Sequence, residues 1–295
     1  MAKTRLAFST TTILEFFASH PKRIWLHSDL QKTIEDKRAA WNLAQSTTTA
    51  QFIQFLLESG QLKRIVFPFP APYRKETRYT WGDVPLYSVL LTLRDQCYFS
   101  NYSALFFHGL TEQVPKTHYL TTELAASQSS RPQPLTQDAI DRAFRNKPRT
   151  TNQIAETPDF RVCLTQAKNT NALGVIDKPI DTPLGSVNLR LTSLERTLLD
   201  AAVRPHYSGG VFEILKAFRN ARDQVSPNRL AATLKKLDYA YPYHQAVGFY
   251  LQRADYPEPA LSLFRLPMSF DFYLSHGHKD LQYIPEWRLH VPRGL

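Results

Sequence analysis

Apolar residues recur at helical spacing through Ala50, Phe52, Ile53, Phe55, Leu56 and Leu57, while Thr47, Thr48, Gln51, Gln54 and Glu58 occupy most of the opposite side. This pattern predicts an amphipathic helix capped by Ser46 and stopped at Gly60. Residues 62–67 and 77–81 are rich in β-branched and aromatic side chains and read as two strands. The loop between them carries Pro68, Pro70, Pro72, Arg74 and Lys75. Upstream, Ile13, Leu14, Phe16 and Phe17 mark a first helix over residues 10–18, which the His20-Pro21 pair closes. A short strand is expected at 23–26. A second helix is expected from Ser28, where Ser28-Asp29-Leu30-Gln31 matches a capping box. Residues 36–45, with Lys37, Arg38 and Trp41, then form a turn. The order helix, strand, helix, turn, helix, hairpin is the outline of a winged helix-turn-helix over residues 1–83.

Beyond residue 83 helical and strand patterns mix. Helices are expected from Pro85, from Ser100 to Gly109, over 137–144, from Ser193 to Arg204-Pro205, from Gly209-Gly210 to Arg222, from Ser226-Pro227 to Leu237, and over 244–254. Strands are expected at 97–99, 117–122, 160–164, 187–191, 261–265, 270–274 and 287–291. Residues 127–134 read as a polar loop, and Gly174, Pro179 and Pro183 as a turn-rich connection. The expected fold is therefore α+β: an N-terminal winged helix-turn-helix domain (1–83) followed by a mixed α/β domain (84–295). No internal repeat is visible.

Charge sharpens the first half of this picture. The net charge of the 295-residue chain is +10, and residues 1–82 hold twelve Lys/Arg against six Asp/Glu, whereas residues 83–200 are balanced at twelve of each. A cationic head of this kind suits duplex phosphate. Thr47, Thr48, Gln51 and Gln54 are the candidates for reading base edges in the major groove. Lys63, Arg64, Arg74, Lys75 and Arg78 are the candidates for phosphate contact from the hairpin, with Lys37 and Arg38 as further backbone contacts. Cys97 and Cys163 sit in apolar contexts and read as buried free thiols. No apolar run reaches eighteen residues and no signal peptide is recognisable at the N-terminus, so the expectation is a cytoplasmic protein without a membrane partner.

Three constellations invite an enzymatic reading. Glu195, Arg196 and Asp200 share one predicted helix, with Arg196 and Asp200 four residues apart; a structural tie between this helix and a neighbouring strand is the expected role. His276-Gly277-His278-Lys279-Asp280 has two imidazoles and a carboxylate but no further ligand at zinc spacing, so a solvated turn is expected. His108 ends a helix, where charge compensation or packing accounts for it. Neither a nucleophile elbow nor a phosphate-cradling glycine loop occurs. The expectation is no catalytic residue, no metal and no cofactor. A metal-dependent nuclease, a nucleotidyl-transfer activity, and a module that holds a toxin directly stay open as alternatives.

Residues 98–123 (YFSNYSALFFHGLTEQVPKTHYLTTE) and 191–210 (LTSLERTLLDAAVRPHYSGG) resemble the body of the AbiEi family of antitoxins, and WNLAQSTTTAQFIQFLLESGQLKRIVF is similar to that family's N-terminal winged helix. The resemblance spans about residues 10–251, and its motifs are signatures of a fold rather than of catalysis. It implies an antitoxin and transcriptional autorepressor of a type IV toxin–antitoxin, abortive-infection system. Such a protein binds inverted repeats in its own promoter as a dimer or as cooperating monomers. It counters a nucleotidyltransferase-like toxin without forming a stable complex with it. The proline-heavy PFPAPYRK loop and the polar stretch at 127–134 depart from the family pattern.

Overall fold

In the computed structural model the described residues are 5–125, 134–277 and 280–295. Contacts divide the chain into two units, Met1–Leu93 with Ala155–Pro158 and Asp181–Val187, and Arg94–Ile154 with Asp159–Ile180 and Asn188–Leu295. The first unit thus runs past the expected boundary at residue 83.

The first unit begins with α1 (Arg5–Phe8), α2 (Thr10–Ser19), β1 (Ile24–Trp25), α3 (His27–Lys37) and α4 (Thr49–Glu58), and continues with β2 (Leu62–Phe67), β3 (Glu76–Trp81) and α5 (Leu86–Leu90). The sheet has the order β1-β3-β2 and is antiparallel throughout, with Ile24 opposite Thr80 and Leu62 opposite Trp81. Its core is aromatic: the buried Phe17 ring stacks on Trp81 at 5.0 Å and meets Trp25 edge-on at 5.1 Å. Phe52 of α4 stacks on Trp41 at 5.7 Å. Two helix starts differ from the expected ones. Helix α3 starts at His27, and the cap is supplied by Asp29, whose carboxylate accepts from the Leu26 N–H at 2.8 Å, instead of by Ser28. Helix α4 is capped by Thr48 and not by Ser46.

Most of the second unit lies in β4 (Tyr98–Phe99), α6 (Asn101–Phe107), β5 (Thr117–Glu123), α7 (Gln137–Arg145), β6 (Ile154–Glu156), β7 (Arg161–Ala167), β8 (Val175–Thr182), β9 (Gly185–Thr192), α8 (Leu194–Val203), α9 (Val211–Asn220), α10 (Pro227–Leu237), α11 (Tyr243–Arg253), α12 (Glu258–Ser262), β10 (Phe272–Tyr273), β11 (Leu281–Ile284) and β12 (Leu289–Pro292), of which residues 155–156 of β6, 181–182 of β8 and 185–187 of β9 count with the first unit. The six-stranded sheet has the order β6-β7-β5-β4-β9-β8. Strand β5 is parallel to β7 and antiparallel to β4, and β4 is parallel to β9. Strand β8 stands where Gly174, Pro179 and Pro183 predict a turn-rich connection. It tolerates Pro179 because it lies at the sheet edge, where a missing N–H breaks no ladder. The strand expected at 261–265 is instead the end of α12 and a turn: Pro257 and Pro259 favour a helix start, and the apolar run is too short to overrule it. Residues 126–133, which include most of the expected polar loop, lie outside the described residues.

Helix α8 is the centre of this unit. Seven of its ten residues are buried, and α6, α9, α10 and α11 all pack against it. Its start agrees with the sequence, since Ser193 Oγ accepts from the Arg196 N–H. Helix α11 carries the other key contact. Gly248 lies under Trp287, and a Cβ there would sit 2.1 Å from the indole. The buried Gln245 amide donates to the Phe270 and Trp287 carbonyls at 3.0 and 2.9 Å, which holds the C-terminal three-stranded sheet (β10-β12-β11) to the helix.

Candidate functional site

The expected base-reading residues lie at the start and along the outer side of α4. The turn into that helix is built by Arg38, whose guanidinium donates to the Ala44 and Thr47 carbonyls at 2.6 and 3.2 Å, while Trp41 and Leu43 are buried beneath it. Thr48 Oγ1 then accepts from the Gln51 N–H at 3.2 Å, and Gln51 Oε1 accepts from the Thr48 N–H at 2.9 Å. This reciprocal capping box satisfies two of the orphan donors of the first turn. Thr48, Gln51, Gln54 and Glu58 are exposed, and Thr47 is half-buried. Ala50, expected on the apolar side, is exposed and joins the same stripe. The Gln54 amide donates to Glu58 at 2.9 Å.

The cations of the hairpin do not form one set. Lys63 and Arg64 are consecutive strand residues and project from opposite faces of the sheet, so they cannot serve a single surface. Lys63 is ion-paired with Asp83. Arg64, Arg74 and Lys75 are exposed and enter no ion pair among the described residues. Arg78 corrects the expectation: it is 5 % exposed and cannot meet phosphate. Its Nε donates to Thr92 Oγ1 at 3.0 Å, and Nη2 reaches Glu76 at 2.9 Å and the Thr92 carbonyl at 2.8 Å. Those bonds carry the first unit beyond residue 83, because they fasten the end of α5 to β3. Lys37 and Arg38 are half-buried, with the Lys37 ammonium 5.5 Å from the Phe16 ring centre and Arg38 holding the turn. The other seven expected residues are neither buried nor ion-paired among the described residues: Thr47, Thr48, Gln51, Gln54, Arg64, Arg74 and Lys75, with Thr48 and Gln51 also capping α4.

In the second unit Arg196 ties α8 to the loop before β8. Its Nε donates to Asp200 at 2.8 Å and Nη1 to the Leu173 carbonyl at 2.7 Å. Burial works against its charge, and Asp200 and Tyr239 outweigh that burial and push its pKa up. Gly174 is required here twice over, by a φ of +70° and by the Arg196 side chain 2.9 Å from where its Cβ would lie. Glu195, 6 % exposed, pairs with Arg229 at 2.8 Å. His276 stacks on Phe144 at 4.1 Å and lies 3.1 Å from the Ala143 carbonyl, while His278 and Lys279 lie outside the described residues. No group of three or more His, Cys, Asp or Glu that could hold a metal occurs among the described residues. His108 bonds the Thr192 carbonyl through Nε2 at 2.7 Å, and burial lowers its pKa, so it joins α6 to the end of β9 as a neutral ring instead of compensating helix charge. Cys97 and Cys163 are buried and free; burial pushes the Cys163 thiol up to about 11.

This unit also holds a cavity with a mostly apolar lining, walled in part by Asn101, Lys168 and Arg204. These residues come from separated segments, so no spacing links them. Among the described residues no helix is long and apolar enough to cross a membrane.

No family model and no curated protein matches the sequence. Among solved structures, the chain is similar to the Rv2827c protein of Mycobacterium tuberculosis, with a TM-score of 0.61 and 14% identity over 98% of this chain and 93% of that one. At that identity the likeness is one of fold, and the mixed α+β architecture of the chain is the one that this crystal structure shares.

Proposed function

We propose that the first unit is a winged helix-turn-helix that binds double-stranded DNA, and that the chain is an AbiEi-type antitoxin and autorepressor acting at inverted repeats in its own promoter. The observation that supports this most is the outward stripe of α4, Ala50, Gln51, Gln54 and Glu58, with Thr47 in the turn before it, in the same unit as a hairpin loop whose Arg74 and Lys75 have no ion-pair partner among the described residues. Thr and Gln suit base edges and Ala suits a thymine methyl, so Thr47, Gln51 and Gln54 would enter the major groove. Arg74 and Lys75 would meet phosphate or the adjacent minor groove, with Arg64 as a further cation. One such unit reads few base pairs, so two copies would occupy the repeat, as a dimer or by cooperative monomers. Opposition to a nucleotidyltransferase-like toxin rests on the resemblance of residues 98–123 and 191–210 alone, and proceeds in this reading without a stable toxin complex.

Fluorescence anisotropy with duplexes tiled across the chain's own upstream region tests the DNA reading. It requires binding that is specific for an inverted repeat and weakened by Arg74→Ala/Lys75→Ala on every probe. Gln54→Ala should relax the preference at one base pair, by about 1–3 kcal/mol of discrimination. A folded protein with no preference for any duplex would sink the reading. Coexpression with the product of the adjacent gene tests the antitoxin part separately, through growth rescue that does not need co-purification.

A further inference from the structure

The second unit holds a groove of about 450 Å³ lined by α10, the start of α11 and the residues that follow α12. That is room for about fifteen waters, and it falls within the range of about 300–1,000 Å³ that small-molecule sites occupy. Its wall is largely apolar, with Leu234 from α10 and Leu263, Phe264 and Leu266 from beyond α12. Leu266 is 51 % exposed, a large apolar side chain left in contact with water on this wall. Three tyrosines complete the wall and meet at steep angles: Tyr243 lies edge-to-face with Tyr239 at 5.3 Å and with Tyr241 at 6.2 Å. Tyr239 is anchored by donating to Asp200 at 3.3 Å, and Tyr243 by packing on Phe272 at 5.2 Å. A surface of rings and branched side chains takes an apolar body, and an aromatic one adds ring contacts to the area it buries.

Charge in this groove is confined to its α10 end. Lys235 lies in the last turn of that helix, and Asp238 is its C-cap residue, left-handed at φ 47°. Both side chains are exposed, and neither enters an ion pair among the described residues. His244 also lines the groove, and burial lowers its pKa, so at neutral pH it adds no charge. The wall therefore offers one cation and one anion, three positions apart, beside a large apolar surface. A lone carboxylate or a lone amine would answer only half of that pair, whereas a zwitterion with an apolar body answers all of it.

We propose that this groove is a binding site for a free α-amino acid with a large apolar side chain, of which phenylalanine is the representative case. The side chain lies among the tyrosines and leucines, the ammonium group faces Asp238 and the carboxylate faces Lys235. The proposal concerns the second unit alone and does not depend on DNA binding by the first.

Isothermal titration of the full chain with phenylalanine tests it, against three analogues: phenethylamine without the carboxylate, 3-phenylpropionate without the ammonium group, and N-acetylphenylalaninamide without either charge. Phenylalanine should bind, and each analogue should bind at least about threefold more weakly, the scale of one solvent-screened ion pair. Glycine, which keeps both charges without the apolar body, should show no binding. Lys235→Gln should weaken phenylalanine about threefold and leave phenethylamine unchanged, whereas Asp238→Asn should weaken phenylalanine about threefold and leave 3-phenylpropionate unchanged. Both positions are exposed and Asn accepts the left-handed backbone of Asp238, so both variants should fold. Absence of phenylalanine binding overturns the proposal, and so does phenylalanine affinity unchanged in either variant. N-acetylphenylalaninamide binding as tightly as phenylalanine also overturns it, and would make the groove a seat for a side chain of another protein.

Discussion

A guanidinium can grip phosphate only while its N–H groups are uncommitted, and every nitrogen of Arg78 is already given to Glu76, Thr77 or Thr92. Arg78→Ala should therefore destabilise the chain by about 3 kcal/mol in urea unfolding, through loss of a largely buried ion pair and its hydrogen bonds. It should leave DNA affinity of the folded fraction nearly unchanged. A variant of normal stability with weak DNA binding would reverse that assignment. Histidine burial makes a second prediction at this scale. His118, 4 % exposed, is held by burial at a pKa of about 4 against an ordinary value of 6.5, and His206 is lowered to about 4 by burial with Arg204 and His276 adding to it. Between these pH values the unfolded chain takes up protons that the folded chain refuses. Stability should accordingly be full above pH 6.5 and fall on acidification towards pH 4, by about 3 kcal/mol for His118. His118→Asn should flatten that part of the stability curve, which denaturant titrations at stepped pH would show.

At the scale of the element, the capping of α4 separates two residues that the sequence makes look alike. Thr48 Oγ1 accepts from the Gln51 N–H, whereas Ser46 is exposed. Thr48→Ala should cost about 1 kcal/mol and Ser46→Ala close to nothing, measured by thermal unfolding. Equal effects would mean that the helix begins where the sequence pattern first suggested. Gln51 is bound to the same box, so its truncation should lower stability as well as any DNA preference, while Gln54, paired only with exposed Glu58, should alter preference alone. The edge position of β8 is another such case. Its Pro179 argues against a strand until the strand is known to have one free side.

For the whole molecule, the charge excess of residues 1–82 is larger than the surface available to DNA, since Arg78 is buried and Lys63 is neutralised by Asp83. Each phosphate contact contributes about 0.9 to the slope of log affinity against log salt. Arg74→Ala/Lys75→Ala should lower that slope by about 2, whereas Lys63→Ala should change it little. A large slope change from Lys63→Ala would place Lys63 at the DNA in spite of its ion pair.

Periodicity and local chemistry were sufficient for most elements: the aromatic and aliphatic spacing of α2 and α4, the Ser193 and Ser226 caps of α8 and α10, and the strands β2, β3, β5 and β7 follow from residues near in sequence. These are short-range effects, so the sequence determines them by itself. Burial of Arg78, the edge place of β8 and the neutral bonding role of His108 depend on what packs alongside. So does the meeting of Asn101, Lys168 and Arg204 in one cavity, from segments more than sixty residues apart at the widest gap. Tertiary structure alone decided these, because an arginine, a proline or an asparagine has no fixed role until its neighbours settle whether its polar atoms meet water, backbone or each other.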